Sequence, residues 1–134
     1  MKAKHLLAVV FLIMAGCKKE TARLASDLQG TWELVSSDGA WGGHHEYEPG
    51  NGNTSSFSGN TYSQKIKIID STYQYSGTFL IYTAKPCDFA NEQTQIKFDN
   101  NESPSSFSLS DGKLTIGTTE CIADDGSSTY KKIQ

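Results

Sequence analysis

The chain has 134 residues, which is room for one domain rather than two. Its first 16 residues form a candidate leader, and the 118 that follow carry 10 basic and 15 acidic residues, a net charge of −5. Proteins that bind polyanions show the opposite balance, so we do not expect nucleic acid as a partner. Serine and threonine supply 28 of these 118 residues and valine only one, which is typical of a small β-protein with a hydrated surface.

The leader has the pattern of a bacterial export signal. Residues 1–5 are positively charged, and residues 6–14 form an apolar run too short to span a bilayer. The end of the run, Ala15-Gly16-Cys17, resembles the lipobox of bacterial lipoproteins. The resemblance implies that residues 1–16 are removed as a signal peptide and that the thiol of Cys17 receives a diacylglycerol. The alternative is an ordinary signal peptide that happens to contain a cysteine.

The resemblance implies a lipoprotein of the bacterial outer membrane, facing the periplasm or the cell surface and held through its lipid anchor. Residues 17–27 are predicted to be the lipidated cysteine and a polar tether, and Lys18-Lys19-Glu20 loosely resembles the surface-export signal of Bacteroidetes lipoproteins. Residues 24–28 are predicted to form one helical turn. No later apolar run approaches the ~20 residues of a membrane helix, so none is expected.

Two cysteines remain after Cys17. Because the compartment beyond the inner membrane is oxidising, Cys87 and Cys121 are predicted to form a disulfide. The alternative is a pair of buried free thiols. A redox pair is disfavoured because the chain has no Cys-x-x-Cys motif.

Beyond residue 30 the hydrophobic pattern alternates with the period of a β-strand. Gly59-Asn60 and Asp111-Gly112 are typical hairpin turns, whereas the glycine, proline and asparagine content of residues 41–53 predicts a long loop. In the long strand after Asp70, the residues Tyr73, Tyr75, Phe79 and Ile81 share one face, and Gly77 is expected to mark a bend or bulge. The eight predicted strands are residues 30–35, 54–58, 61–69, 72–83, 94–98, 105–110, 113–117 and 129–133.

A meander of eight short strands either exposes two edges or closes on itself. Closure is the physical way to remove the edges, so we predict an all-β, eight-stranded antiparallel barrel over residues 28–134 with the short helical turn before it. A barrel of eight strands has an interior that side chains can just fill, or that holds one small ligand.

Gly30-Thr31-Trp32 resembles the Gly-x-Trp opening of the lipocalin superfamily. There the glycine frees the chain to enter the barrel and the tryptophan plugs the closed end, on which a basic residue packs; here Lys131 or Lys132 is available for that role. The resemblance spans residues 28–133 and implies a lipocalin-like fold without general catalytic residues. The segments that resemble the lipocalin-like lipoproteins of Bacteroidetes are residues 32–37, 49–53, 57–62 and 130–132.

Two polar clusters of the sequence are candidate metal sites. Adjacent side chains of an extended segment point in opposite directions, so His44 and His45 beside Glu46 are poorly placed to share one ion. Asp124-Asp125 lacks the alternating acidic spacing of a calcium loop. We therefore predict a solvated loop and a polar turn, with no metal and no cofactor.

Aromatic residues are the candidate ligand contacts. Trp41, in a glycine-rich loop, is typical of a ligand mouth or contact surface, and capping the barrel as part of its core is the alternative. The aromatic residues expected to line a binding site, with packed core as the alternative for the strand tyrosines, are Trp41, Tyr47, Tyr73, Tyr75 and Phe79.

Two functional hypotheses follow. The first is a membrane-anchored, lipocalin-like monomer that binds a small, largely apolar ligand in the barrel. The second is a filled barrel that acts as a surface interaction or structural module of the envelope. No Ser/His/Asp set, carboxylate pair or phosphate-binding glycine loop can be assembled, so an enzyme is not expected. An apolar cavity of a few hundred Å³ would favour the first hypothesis, and a packed interior the second.

Cys17→Ser should release the protein from the membrane fraction, because it removes the sulfur that would carry the acyl chains. Fractionation followed by a high-salt wash measures the effect. A variant that still sediments with membranes after the wash would show that the lipobox interpretation is wrong.

Overall fold

The computed structural model describes residues 18–39, 41–119, 121 and 126–134. The predicted leader, Cys17 and the Asp124-Asp125 pair lie outside these residues. Within the described chain, no helix has the length and apolar character needed to cross a membrane.

One helix and nine strands make up the described chain. The helix, α1, covers residues 18–28. The strands are β1 (Gly30–Gly39), β2 (Gly43–Glu46), β3 (Thr54–Ser58), β4 (Thr61–Ile68), β5 (Ser71–Ala84), β6 (Gln93–Phe98), β7 (Ser105–Ser110), β8 (Lys113–Gly117) and β9 (Ser127–Lys132).

Eight of the strands close into the predicted antiparallel barrel. Each of β3 to β9 pairs with its neighbour in the chain, and β9 pairs with β1 to complete the ring. Strand β1 enters from the end covered by α1, which we call the closed end, and rises to the opposite, open end. The predicted fold class is confirmed.

Strand β2 was not predicted. It pairs with the far half of β1, through Ser36↔Glu46 to Gly39↔Gly43, on the same edge that β3 occupies nearer the closed end. The expectation that residues 41–53 lack regular structure is therefore wrong for Gly43–Glu46. Residues 41–53 are rich in glycine, proline and asparagine. The edge of β1 beyond β3 nevertheless offers backbone hydrogen-bonding groups, and the four residues of β2 pair with them.

Two further elements differ from the expectation. Helix α1 begins well before the predicted turn at residues 24–28, so much of the predicted tether is helical. No bulge occurs at Gly77, where the pairing of β4 with β5 runs without a shift; the register shift lies between Leu34 and Ser36 of β1. Gly77 instead allows a close approach, since a Cβ atom there would collide with the carboxylate of Asp99.

Trp32 joins three elements at the closed end. Its side chain is 2% exposed, and its Nε1–H donates to the carbonyl of Leu28, the last residue of α1, at 2.8 Å. The Lys132 ammonium lies 5.4 Å from the ring centroid and donates to the carbonyl of Asp27. Of the two lysines named for this role, the structure places Lys132 on the tryptophan.

Gly30 is required where the chain enters the barrel. Its φ is +116°, a region that favours glycine, and a Cβ atom would overlap the Gln134 carbonyl oxygen. The Thr31 N–H donates to that same carbonyl at 2.9 Å. Gln134 is thus held against the beginning of β1.

The core fills the closed half of the barrel. Leu24 and Leu28 of α1 are buried in it with aromatic residues of the strands, and Phe57 meets Phe79 edge to face at 5.3 Å between centroids. The predicted Cys87–Cys121 disulfide is present and joins the β5–β6 connection to the β8–β9 connection. Among the described residues, every member of this core lies between Leu24 and Tyr130, so residues 18–134 contain it.

Trp32→Ala should cost about 3–5 kcal/mol, because it deletes a buried aromatic side chain. A small domain has only about 5–15 kcal/mol of stability, so the variant should be largely unfolded or very labile. Trp41, which is 92% exposed, provides the matched control, and Trp41→Ala should change the melting temperature little. Equal losses in thermal melts of the two variants would contradict this placement.

Candidate functional site

An apolar surface projects from the open end of the barrel. Ile66 and Ile68 of β4 lie beside Tyr73 and Tyr75 of β5, and Ile69 forms the connecting turn. The side chains on the strands are 39–55% exposed and Ile69 is 84% exposed. We call these five residues the β4–β5 patch.

The patch is exposed because the neighbouring strands are too short to cover it. Strand β3 pairs with β4 only as far as Lys65, and β6 pairs with β5 only from Phe79 onward. Ile66 still lines the barrel interior beside Leu34 and Tyr130. Since side chains alternate along a strand, the patch continues the inner face of the wall beyond the point where the barrel encloses it.

A small cavity lies below the patch. Its volume is about 160 Å³, and much of its lining is polar. Gln64 Nε2 donates to Ser55 Oγ at 3.3 Å, and the Tyr130 hydroxyl interacts with Ser55 and Ser128. Burial, which disfavours the phenolate, raises the pKa of Tyr130 above its ordinary value. The Tyr130 hydroxyl is therefore a neutral hydrogen-bonding group, and Lys65 also contributes to the lining.

The structure brings only part of the predicted ligand set together. Tyr73 and Tyr75 lie in the patch, but Phe79 is buried in the core of the closed half. Tyr47 is half-buried beside β1, with its hydroxyl 3.2 Å from that of Ser37. Trp41 lies at the turn of the β1–β2 hairpin, and its 92% exposure rules out the alternative that it caps the core.

Sequence reasoning missed the contribution of the isoleucines. The alternation along residues 61–69 predicts that Ile66 and Ile68 share one inward face with Tyr62, and Tyr62 is indeed 3% exposed. The period-2 pattern identifies the inner face, but it carries no information on how far the adjacent strands extend. The difference in length between β4–β5 and their neighbours was the only available signal.

The largest of the described depressions lies outside the barrel. It has a volume of about 520 Å³ over β3, β4 and β5. It is lined by short side chains of the outer face together with Tyr62 and Gly77; the short side chains are those of Ser56, Ser58, Thr61, Ser63, Ser76 and Thr78.

His44 is the centre of the only carboxylate–histidine contacts among the described residues. Its Nδ1 lies 2.6 Å from Asp38 Oδ1 across the β1–β2 hairpin, and its Nε2 lies 3.6 Å from Glu46 Oε1. The hydrogen bond to Asp38 and the charge of that carboxylate raise the pKa of His44 above 6.5, and Glu46 adds a smaller effect.

No metal site forms in the part of the chain that the structure describes, where three His, Cys, Asp or Glu side chains nowhere come together in a suitable arrangement. The two carboxylates at His44 occupy opposite ring nitrogens, so they cannot share one ion with it. The predicted polar turn at Asp124-Asp125 lies outside the described residues.

Comparison of the chain with protein-family models, with curated proteins and with solved structures found no match.

Asp38→Asn should lower the pKa of His44, since it removes the carboxylate that favours the imidazolium. A pKa that is raised in the folded state stabilises the β1–β2 hairpin below pH 6.5, and this contribution is lost as the pH rises through the folded value. An NMR titration of the His44 ring measures the shift. Glu46→Gln is the control and should lower the pKa less; an unchanged titration in Asp38→Asn would contradict the assignment.

Proposed function

We propose that this protein is a lipid-anchored, non-enzymatic, lipocalin-like module of the bacterial cell envelope that contacts another protein through the β4–β5 patch. The carrying observation is the contrast between a half-exposed apolar patch and the small cavity behind it. Ligand pockets typically measure about 300–1,000 Å³, whereas this cavity is about 160 Å³. Exposed contiguous apolar surface is typical of contact sites.

The position of the helix supports a definite orientation on the membrane. Cys17, the proposed site of acylation, immediately precedes α1, and α1 packs on the closed end through Leu24 and Leu28. The anchor would therefore hold the closed end near the lipid surface. The β4–β5 patch would face away from the membrane, where a partner can reach it.

The lipocalin-like interpretation has support from the closed end. A glycine at positive φ precedes the buried Trp32, and Lys132 packs on the indole, as the family resemblance implies for a basic residue. These features describe how Trp32 closes one end of the barrel, and they carry no information on a ligand. They support the kind of scaffold we propose without identifying what it binds.

A second candidate function is the binding of a small ligand at the open end. The cavity adjoins the patch through Ile66, so a polar-lined pocket passes into an apolar wall. This arrangement suits a molecule with a polar end and an apolar body better than the wholly apolar ligand expected from the sequence. Native mass spectrometry of the domain purified from its host tests this candidate through a co-purifying small molecule.

The proposed function predicts site-specific cross-linking to protein. A photo-reactive phenylalanine derivative in place of Tyr73 should give a protein adduct in intact cells, since Tyr73 lies in the patch and is 47% exposed. Leu80, an apolar residue with 62% exposure near the closed end, is the matched control and should not give this adduct. Identical adducts from both positions, or only small-molecule adducts from Tyr73, would contradict the proposal.

A further inference from the structure

Strand β5 has an unpaired backbone edge beside the β4–β5 patch. The Phe79 N–H donates toward β4, to Asn60, whereas the Thr78 carbonyl accepts from Asp99 on the other side. Because the direction alternates along a strand, the N–H and C=O groups of Thr72, Gln74 and Ser76 also point to that other side. Within the described chain no strand pairs with them there.

Residues 71–76 lack the features that usually protect an exposed strand edge. Exposed edges are usually protected by lysine, proline, a bulge or a covering segment. Residues 71–76 contain no charged residue and no proline, are exposed throughout, and pair with β4 without a register shift. The corresponding edge of β4 is protected, since the Lys67 N–H donates to the side chain of Asn53.

The sequence along this edge is nearly palindromic. Thr72-Tyr73-Gln74-Tyr75-Ser76 reads almost the same in both directions around Gln74. A two-fold axis through an antiparallel strand pair opposes each residue to its mirror position. Pairing two copies here would therefore place tyrosine against tyrosine, hydroxyl against hydroxyl, and Gln74 against Gln74 of the second copy.

We propose that the β5 edge pairs with the same edge of a second copy of this chain, antiparallel and centred on Gln74. The backbone groups of Thr72, Gln74 and Ser76 would then be satisfied. On the inner face, Tyr73 would lie against Tyr75 of the second copy, and aromatic cross-strand pairs of this kind are favourable. The inference rests on the proposed function, because it names the partner that the β4–β5 patch contacts, and it replaces the monomer expected from the sequence.

The contact is small, so the association in free solution is weak. A short strand edge with its neighbouring side chains falls below the buried area of about 1,200–2,000 Å² typical of stable complexes. The register also places Asp70 of one copy opposite Thr78 of the other, where the Asp99 N–H already donates to the Thr78 carbonyl. The carboxylates of Asp70 and Asp99 therefore approach each other at each end and weaken the contact. Confinement at lipid surfaces raises the effective concentration, and in solution a disulfide across the contact traps the pair even when each encounter is brief.

The symmetry decides which copies can meet. A two-fold axis perpendicular to the sheet reverses every direction in its plane, so the two closed ends, each carrying α1, face in opposite directions. With each chain anchored through Cys17, the pair would join copies on two facing lipid surfaces. Neighbours within one membrane could not form it, because both of their closed ends face the same lipid.

Cysteine cross-linking of the domain of residues 18–134 tests the register. In this domain the native cysteines are those of the disulfide, so an introduced thiol has no other partner. Directly opposed, hydrogen-bonded residues have Cα atoms about 5.5 Å apart, within the range of about 4.4–6.8 Å that a disulfide spans. Gln74→Cys should therefore oxidise to a covalent dimer on non-reducing gels.

Thr72→Cys is the matched control, since Thr72 is exposed on the same edge and the same face. Its two copies would lie roughly 14 Å apart, four residues along the strands, and should not cross-link. A mixture of Thr72→Cys and Ser76→Cys chains should give the mixed dimer, which also covers a failure of Gln74→Cys to fold.

Two results would overturn the inference: no covalent dimer from Gln74→Cys and the Thr72→Cys/Ser76→Cys mixture, or equally efficient dimer formation by Thr72→Cys alone. If these cysteine variants form no covalent dimer while the photo-reactive group at position 73 still cross-links to a different protein in cells, the second-copy inference is wrong and the proposed function stands. If Tyr73 forms no protein adduct in cells and the domain does not cross-link to itself, both fail.

Discussion

The hydrogen bond from the Trp32 indole to the Leu28 carbonyl is the contact on which the closed end depends. A carbonyl in the last turn of a helix has no partner within that helix, and a buried indole N–H needs an acceptor. The indole N–H of Trp32 and the carbonyl of Leu28 satisfy each other in a buried hydrogen bond of 2.8 Å. Because the backbone of Trp32 also pairs with Ser55 of β3 and Lys132 of β9, this one residue connects the helix to three strands of the barrel.

The exposure of the β4–β5 patch at the other end results from an offset between strands. Strand β5 has 14 residues, of which the first eight pair with β4 and the last six with β6. Neither β3 nor β6 extends along the β4–β5 hairpin to its tip. The same inward-facing pattern is therefore buried as Tyr62 and Phe79 near the closed end and exposed as Ile68 and Tyr73 near the tip.

The interior of the barrel is largely filled by side chains. Aromatic side chains and the two leucines of α1 fill the closed half. Above them, Ser55, Gln64 and Tyr130 bond to one another or to nearby hydroxyls, which leaves a small polar-lined space. The apolar surface that a lipocalin-like pocket would keep inside lies instead on the protruding hairpin, where burial requires a second molecule.

Local chemistry alone determined much of this protein. Period-2 alternation identified the strands of the barrel, Gly59-Asn60 and Asp111-Gly112 marked their turns, and Gly30 and Trp32 marked the closed end, because these signals arise within a few neighbouring residues. The sequence also pointed to the Cys87–Cys121 pair. Only the tertiary structure decided that Gly43–Glu46 is a strand, that Phe79 belongs to the core and that Ile66 and Tyr73 do not. Those outcomes depend on which edges remain unpaired and how far neighbouring strands extend, and such long-range registers are not encoded in any local pattern.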